Sequence, residues 1–142
     1  MQVDQDVRSE LDPDGVRVVT VDSRKERRQV MRQLLELCLG TAEVGEADSR
    51  EVAVELVGRC RPEVVVLEIA MPLEEGLDII TALRQVSPPP RIVVCSFHHD
   101  AVTVQAALDR GADAYVRKPV GSAELRAALG LPLAPRAALV AT

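Results

Sequence analysis

Five polar residues stand directly after, or close the end of, hydrophobic runs of this sequence. Asp22 and Ser23 follow the first run, Glu68 follows a second, Ser96 a third and Lys118 a fourth. If these runs are strands of one parallel sheet, their carboxyl ends share an edge, which is where open α/β sheets hold their sites. An acid, a hydroxyl and a lysine that meet at such an edge outline a site for a phosphate or a metal ion.

The hydrophobic pattern predicts strands that alternate with helices. Residues 64–67 form the clearest strand, because they are apolar without alternation, as in a strand covered on both faces. Strict alternation with short connections indicates right-handed βαβ units, and therefore a doubly wound parallel sheet of five strands with helices on both faces. The predicted strands are 16–21, 42–45, 63–68, 91–95 and 114–116, and the predicted helices are 24–39, 49–60, 75–86, 100–110 and 122–129.

The composition suits one α/β domain. The 142 residues are 47% hydrophobic and only 1% aromatic, so an aliphatic core is expected. A net charge of -5 argues against direct binding of nucleic acid by this domain. Three cysteines without a CxxC pair favour a reducing cytoplasm, and no apolar run approaches the length of a membrane span.

The sequence divides into three parts. Residues 16–130 contain the alternating pattern. Residues 1–15 are polar and acidic, and they are predicted to form a flexible arm. Residues 131–142 are apolar and interrupted by prolines, which indicates either a packed tail or the start of a linker.

Four segments, in order, resemble the receiver domain of bacterial two-component response regulators. They are the strand and acidic pair at 18–23, the phosphoacceptor strand and its Met-Pro…Gly loop at 62–77, the strand with the switch hydroxyl at 93–96, and the last strand with its aromatic, lysine and proline at 111–119. The resemblance spans residues 17–129 and implies the flavodoxin-like (βα)5 fold.

The resemblance also implies roles. In the family, an Asp takes a phosphoryl group from a histidine kinase, two acids hold Mg²⁺, a lysine and a hydroxyl bind phosphate oxygens, and an aromatic side chain swings inward. On that basis Glu68 stands at the phosphoacceptor position, Asp22 and Ser23 at the acidic pair, Ser96 and Tyr115 at the switch positions, and Lys118 and Pro119 at the site lysine and its cis-proline.

Three residues depart from the family pattern. Glu68 is longer than Asp by one methylene, so its carboxylate projects ~1.5 Å further, and a misplacement of ~1 Å can slow an in-line reaction a hundredfold. Ser23 is neutral and a poor ligand for Mg²⁺. Phe97 follows the switch hydroxyl, where a small residue is usual, and is expected to be packed or to occlude the site. Glu68 can instead pair with Lys118.

The sequence therefore predicts an atypical receiver that signals without phosphorylation, as a protein-interaction module in phosphorelay-type regulation, with transcription as one setting. No enzymatic activity, catalytic residue, metal ligand or cofactor is expected, and Mg²⁺ is expected to bind weakly or not at all. The expected partners are proteins: a second copy of the chain, an effector domain or another regulator. Nucleic acid and membranes are not expected partners.

Alternatives remain open at this point. A conventional receiver would take phosphate despite Glu68 and Ser23. A small flavodoxin-like cofactor-binding protein or enzyme would need a Gly-rich phosphate loop after the first strand, but residues 22–25 read Asp-Ser-Arg-Lys. The basic run at 24–28 is interpreted as a solvated helix face or a docking surface, and the histidines at 98–99 as loop residues rather than metal ligands.

Overall fold

The computed structural model describes residues 16–40, 43–70 and 72–130. The predicted arm at 1–15 and the predicted tail or linker at 131–142 lie outside the described residues. So does Met71 of the predicted Met-Pro loop, and so do residues 41–42, of which residue 42 was the predicted start of the second strand.

Five parallel strands alternate with five helices, which confirms the predicted fold. The sheet order is β2-β1-β3-β4-β5, so the chain reverses direction across the sheet between β1 and β3. The strands are β1 (Arg17–Val21), β2 (Glu43–Ala47), β3 (Val64–Leu67), β4 (Arg91–Ser96) and β5 (Ala114–Arg117). The helices are α1 (Lys25–Leu39), α2 (Arg50–Cys60), α3 (Leu73–Arg84), α4 (Ala101–Arg110) and α5 (Ser122–Leu129).

The core has two layers, one on each face of the sheet. Successive strand residues point to opposite faces, so Val65 and Leu67 of β3 enter one layer while Val64 and Val66 enter the other. The first layer packs against α2, α3 and α4, and the second packs against α1 and α5. Because both faces of β3 are covered, all four of its residues are buried, as the unbroken apolar run predicts.

Local signals fix several helix ends. Ser49 caps α2 by accepting a hydrogen bond from the Val52 amide at 3.2 Å. At α4 the cap is Asp100, which accepts from the Thr103 amide at 3.1 Å. Ser96 does not cap this helix, because it lies five residues before the first helical residue and is the last residue of β4.

On α1, the spacing of apolar residues predicts which of them are buried less reliably than the apolar run of β3 does. Met31, Leu35 and Cys38 are buried, but Val30, the apolar residue directly before Met31, is 64% exposed. Within the described residues, no helix combines the length and the hydrophobicity that a bilayer span requires.

Candidate functional site

The predicted site residues come together at the carboxyl edge of the sheet. The register pairs Val21 of β1 with Leu67 of β3, so Asp22 and Glu68, the next residue of each strand, lie side by side. The Glu68 amide donates to the Val21 carbonyl at 3.0 Å, which extends the ladder to the site itself. This is the point where the strand order reverses, the place at which doubly wound sheets bind their ligands.

Glu68 forms an ion pair with Lys118, as the sequence predicted. Lys118 Nζ lies 2.5 Å from Glu68 Oε1, and the two side chains are only 12% and 6% exposed. Oε1 has no hydrogen bond of ordinary geometry within the described residues, so this contact is an ion pair. Because β4 lies between β3 and β5, the two strand ends are roughly 10 Å apart, and two long side chains are needed to span that gap.

Asp22 is held by an arginine from the first turn of α1. Arg27 Nη2 donates to Asp22 Oδ1 at 2.9 Å and Arg27 Nε donates to Oδ2 at 3.0 Å, while the Arg24 amide donates to Oδ1 at 2.9 Å. The Asp22 side chain is 4% exposed and that of Arg27 is 33% exposed. The hydrogen bond to Asp22 raises the pKa of Arg27, and the charges of Asp22 and Glu68 add to that rise.

The sequence did not predict this role for Arg27. The residue belongs to the basic run at 24–28, for which a solvated face or a docking surface was predicted, and its neighbour Arg28 also turns inward, donating to the Asp22 carbonyl at 2.8 Å and to Glu46 Oε1 at 3.0 Å. A usable signal is the spacing of an acid at a strand end and an arginine five residues later, inside the first turn of the next helix.

The hydroxyl and aromatic at the predicted switch positions bond to backbone. Ser96 is fully buried; its Oγ donates to the Ile69 carbonyl at 2.7 Å and accepts from the His98 amide at 3.0 Å. Tyr115 is half-buried, and its hydroxyl donates to the His98 carbonyl. Burial raises the pKa of Tyr115, with the carboxylate of Glu68 adding to the rise. Within the described residues, neither hydroxyl bonds to Glu68.

Phe97 lies close to Lys118. It is 58% exposed, so the expectation that it is packed is wrong. The centre of its ring is 5.6 Å from Lys118 Nζ, a distance at which an aromatic face attracts a cation. The Lys118–Pro119 peptide bond is cis, as predicted. His98 and His99 lie in the connection between β4 and α4, as expected.

A cleft of about 450 Å³ lies over Asp22, Ser23 and Glu68. Its walls come from the connections after β1, β2 and β3 and from α3, and they carry more acids than bases. The charged residues beyond the site itself are Asp48, Arg50, Glu51, Glu75 and Asp78.

These residues do not fit the Mg²⁺ ion that the resemblance implies. Both oxygens of Asp22 accept from Arg27, Glu68 is paired with Lys118, and Ser23 brings no charge. Mg²⁺ needs oxygen ligands in near-octahedral geometry and is usually held by carboxylates. A metal ion would have to compete with a cation for each carboxylate, so the donor set is that of a site already neutralised by the protein.

Comparison with known proteins shows which family this chain belongs to. The family model for the response regulator receiver domain matches residues 18–130. The nitrate/nitrite response regulator NarL of Escherichia coli is 33% identical over 112 residues, which are 79% of this chain and 52% of NarL, so the chain spans about half the length of this relative. The chemotaxis protein CheY of Thermotoga maritima is 30% identical over 105 residues, 74% of this chain and 87% of CheY.

Solved structures give the same result. The signal receiver domain of the response regulator NarL from Mycobacterium tuberculosis is 32% identical, with a TM-score of 0.71 over 81% of this chain and 93% of that domain. A response regulator receiver domain protein from Clostridium thermocellum is 25% identical, with a TM-score of 0.70 over 81% and 91% of the two chains.

Proposed function

Since this chain belongs to the response regulator receiver domain family, we propose that it is an atypical receiver that signals without phosphorylation of Glu68. It acts as a protein-interaction module and not as an enzyme. Contacts within the chain set its signalling conformation, and partner proteins recognise that conformation.

The ion pair between Glu68 and Lys118 is the observation that carries this proposal. The Glu68 carboxylate is almost fully buried and lies 2.5 Å from Lys118 Nζ, so it pairs with the lysine that would otherwise bind a phosphate oxygen. A phosphoryl group arriving here would have to separate two buried opposite charges, and an uncompensated buried charge costs several kcal/mol. The pair therefore opposes the reaction that the position performs in the rest of the family.

Four neighbouring residues support the same conclusion. Ser23 supplies no charge to balance an incoming phosphate. The Phe97 ring centre lies 5.6 Å from Lys118 Nζ, so the ammonium also has an aromatic neighbour in addition to Glu68. Ser96 and Tyr115 already bond to backbone around His98 and Ile69, which leaves their hydroxyls satisfied without a phosphate.

The partners that we propose are proteins. NarL is named as a response regulator, and it extends well beyond the region matched. We infer that this domain works with an effector domain, another regulator or a second copy of itself, in regulation of which transcription is one example. The net charge of -5 gives the domain no electrostatic basis for holding nucleic acid directly.

Acetyl phosphate tests the proposal. The protein is incubated with acetyl phosphate and Mg²⁺ beside a family member that has Asp at the acceptor position, and intact masses are recorded. We expect the control receiver to gain the mass of one phosphoryl group and this protein to gain none. A stoichiometric adduct on the unaltered protein that is lost in Glu68→Gln would instead establish the conventional receiver.

A further inference from the structure

We propose that Arg27 is the resident cation of this site and excludes a divalent metal ion from it. The inference rests on the proposed function and explains how the site stays neutral when neither a phosphate nor a metal is part of the signal. It assigns to the first helix a task that the family gives to an external ion.

The geometry at Asp22 is that of a completed ion pair. Two nitrogens of one guanidinium donate to the two carboxylate oxygens at 2.9 and 3.0 Å, an arrangement that is both stronger and more directional than a single contact. The Arg24 amide donates to the same carboxylate. A metal ion that approached Asp22 would have to compete with these three N–H donors for the carboxylate oxygens.

Arg27 is held where it is by the local fold. It lies in the first turn of α1, two residues after Lys25, the first residue of that helix. Asp22 is the residue after β1, and its own carbonyl is bonded by Arg28. Hydrogen bonds from α1 therefore hold both the backbone and the side chain of Asp22. If the Arg27 guanidinium moved away, it would leave the Asp22 carboxylate, which is only 4% exposed, without its cation.

Charge balance leads to the same result. Asp22 and Glu68 carry two negative charges, and Arg27 and Lys118 carry two positive charges in contact with them. The pKa of Arg27 is raised, first by its hydrogen bond to Asp22, so the guanidinium stays charged. A divalent ion between these carboxylates would lie within a few ångströms of two cations, and like charges at that range repel more strongly in a protein than in water.

Titration with Mn²⁺, followed by the electron paramagnetic resonance of the free ion, tests this on the full chain. Four proteins are compared: the unaltered chain, Ser23→Asp, Ser23→Asp with Arg27→Gln, and Ser23→Asp with Arg32→Gln. Arg32 is the matched control, because it lies on the same helix but pairs with Glu36 and Glu46 instead of Asp22.

We expect the unaltered chain to bind Mn²⁺ in the millimolar range or more weakly. In the Ser23→Asp background, Arg27→Gln should tighten binding at least tenfold, and Arg32→Gln should change it less than twofold. Equal affinities in the Arg27 and Arg32 variants, or micromolar binding by the unaltered chain, would overturn the inference.

Thermal unfolding of the single variants keeps the test decisive if the double variant does not fold. Millimolar Mg²⁺ should raise the Tm of Arg27→Gln and leave the unaltered chain and Arg32→Gln unchanged. Equal Mg²⁺ responses in all three proteins would contradict the inference. These readouts do not involve a phosphoryl group, so a failure here is distinct from a failure of the proposed function, which the acetyl phosphate adduct decides.

Discussion

At the scale of residues, one methylene group changes the character of the site. The strand end at β3 and that at β5 are separated by β4, and Glu68 has the length to meet Lys118 above Ser96. An isolated buried carboxylate would be costly, but Asp22 and Glu68 each have a cation of their own. The charges of Asp22 and Glu68 are therefore balanced by cations of the same chain.

A double-mutant cycle on Glu68 and Lys118 should return a coupling energy of about 1–3 kcal/mol. Lys118→Met alone should lower the free energy of unfolding most, because it leaves a carboxylate that is 6% exposed without its cation. Glu68→Gln should recover part of that loss in the double variant. Urea unfolding measures each value.

The control cycle uses Arg32 and Glu36, an i,i+4 pair on α1 in which both side chains are more than 40% exposed. Its coupling should not exceed about 0.5 kcal/mol, as for other exposed helical pairs. If the buried pair couples no more strongly than the exposed one, then Glu68 does not depend on Lys118, and the main support for the proposed function is lost.

The two ion pairs differ in how far the sequence could predict them. Glu68 and Lys118 both stand at predicted strand ends, so a shared sheet edge was enough to bring them together. Arg27 lies on a helix, where its direction depends on the path of the residues that join β1 to α1. The four basic residues between 24 and 28 do not by themselves indicate which side chain faces the site. A small rotation of α1 about its own axis would bring a different one of them towards Asp22.

At the scale of elements, α3 approaches the sheet closely enough to need a glycine. A Cβ at Gly76 would lie 2.9 Å from Ile69 Cγ1 and 3.3 Å from its Cγ2. Ile69 is 1% exposed and its carbonyl accepts from Ser96. Gly58 on α2 offers a comparison, because nothing lies within 4 Å of a Cβ built there.

Substitution of these two glycines by alanine should change stability in opposite directions. Alanine favours a helix interior over glycine by about 1 kcal/mol, so Gly58→Ala should raise the free energy of unfolding by up to that amount. Gly76→Ala should lower it by about 1–3 kcal/mol net, since Ile69 must be displaced in a filled core. Chemical denaturation of both variants measures the two signs.

If Gly76→Ala were instead as stable as Gly58→Ala, the close approach of α3 to Ile69 would be incorrect.

The sequence alone predicted that α3 exists but set its start at residue 75, and the structure begins it at Leu73. It set the starts of α2 and α4 at Ser49 and Asp100, which are the capping residues directly before those helices. The start of α3 has no side-chain capping hydrogen bond that could mark it in the sequence.

At the scale of the whole molecule, the core contains almost no aromatic side chains, so small groups fill it. Cys95 is one of these groups, at 1% exposure in the layer between the sheet and the helices α1 and α5. Burial raises the pKa of its thiol from 9.0 to about 11, with Glu68 adding to the rise and Lys118 opposing it. The thiol is therefore neutral in the folded protein at a pH where it would ionise in the unfolded chain.

This raised pKa predicts a loss of stability in alkali. The contribution is fully present below pH 9.0, the thiol's ordinary value, and is lost as the pH rises through about 11. Between those limits the unaltered protein should lose up to about 3 kcal/mol more than Cys95→Ala, at 1.36 kcal/mol for each pKa unit. Urea unfolding at a series of pH values measures the difference.

Val66→Ala separates the thiol from the cavity that its removal leaves. Val66 is buried in the same layer and has no titratable group, so this variant should be less stable at every pH but should keep the slope of the unaltered protein. Parallel slopes for Cys95→Ala and the unaltered protein would mean that the thiol does not resist ionisation in the fold.

The hydrogen bond from Arg91 Nε to the Ala128 carbonyl, at 3.0 Å, joins the last turn of α5 to the start of β4. Arg91 is the first residue of β4, and a Cβ built at Gly130, which has a φ of +64°, would lie 2.9 Å from Arg91 Nε. Val16, just before β1, lies at this same amino edge of the sheet, so both ends of the described domain are on the side opposite Glu68. A partner that covers the charged edge is therefore separated from both of these ends by the length of β4, which is six residues or roughly 20 Å.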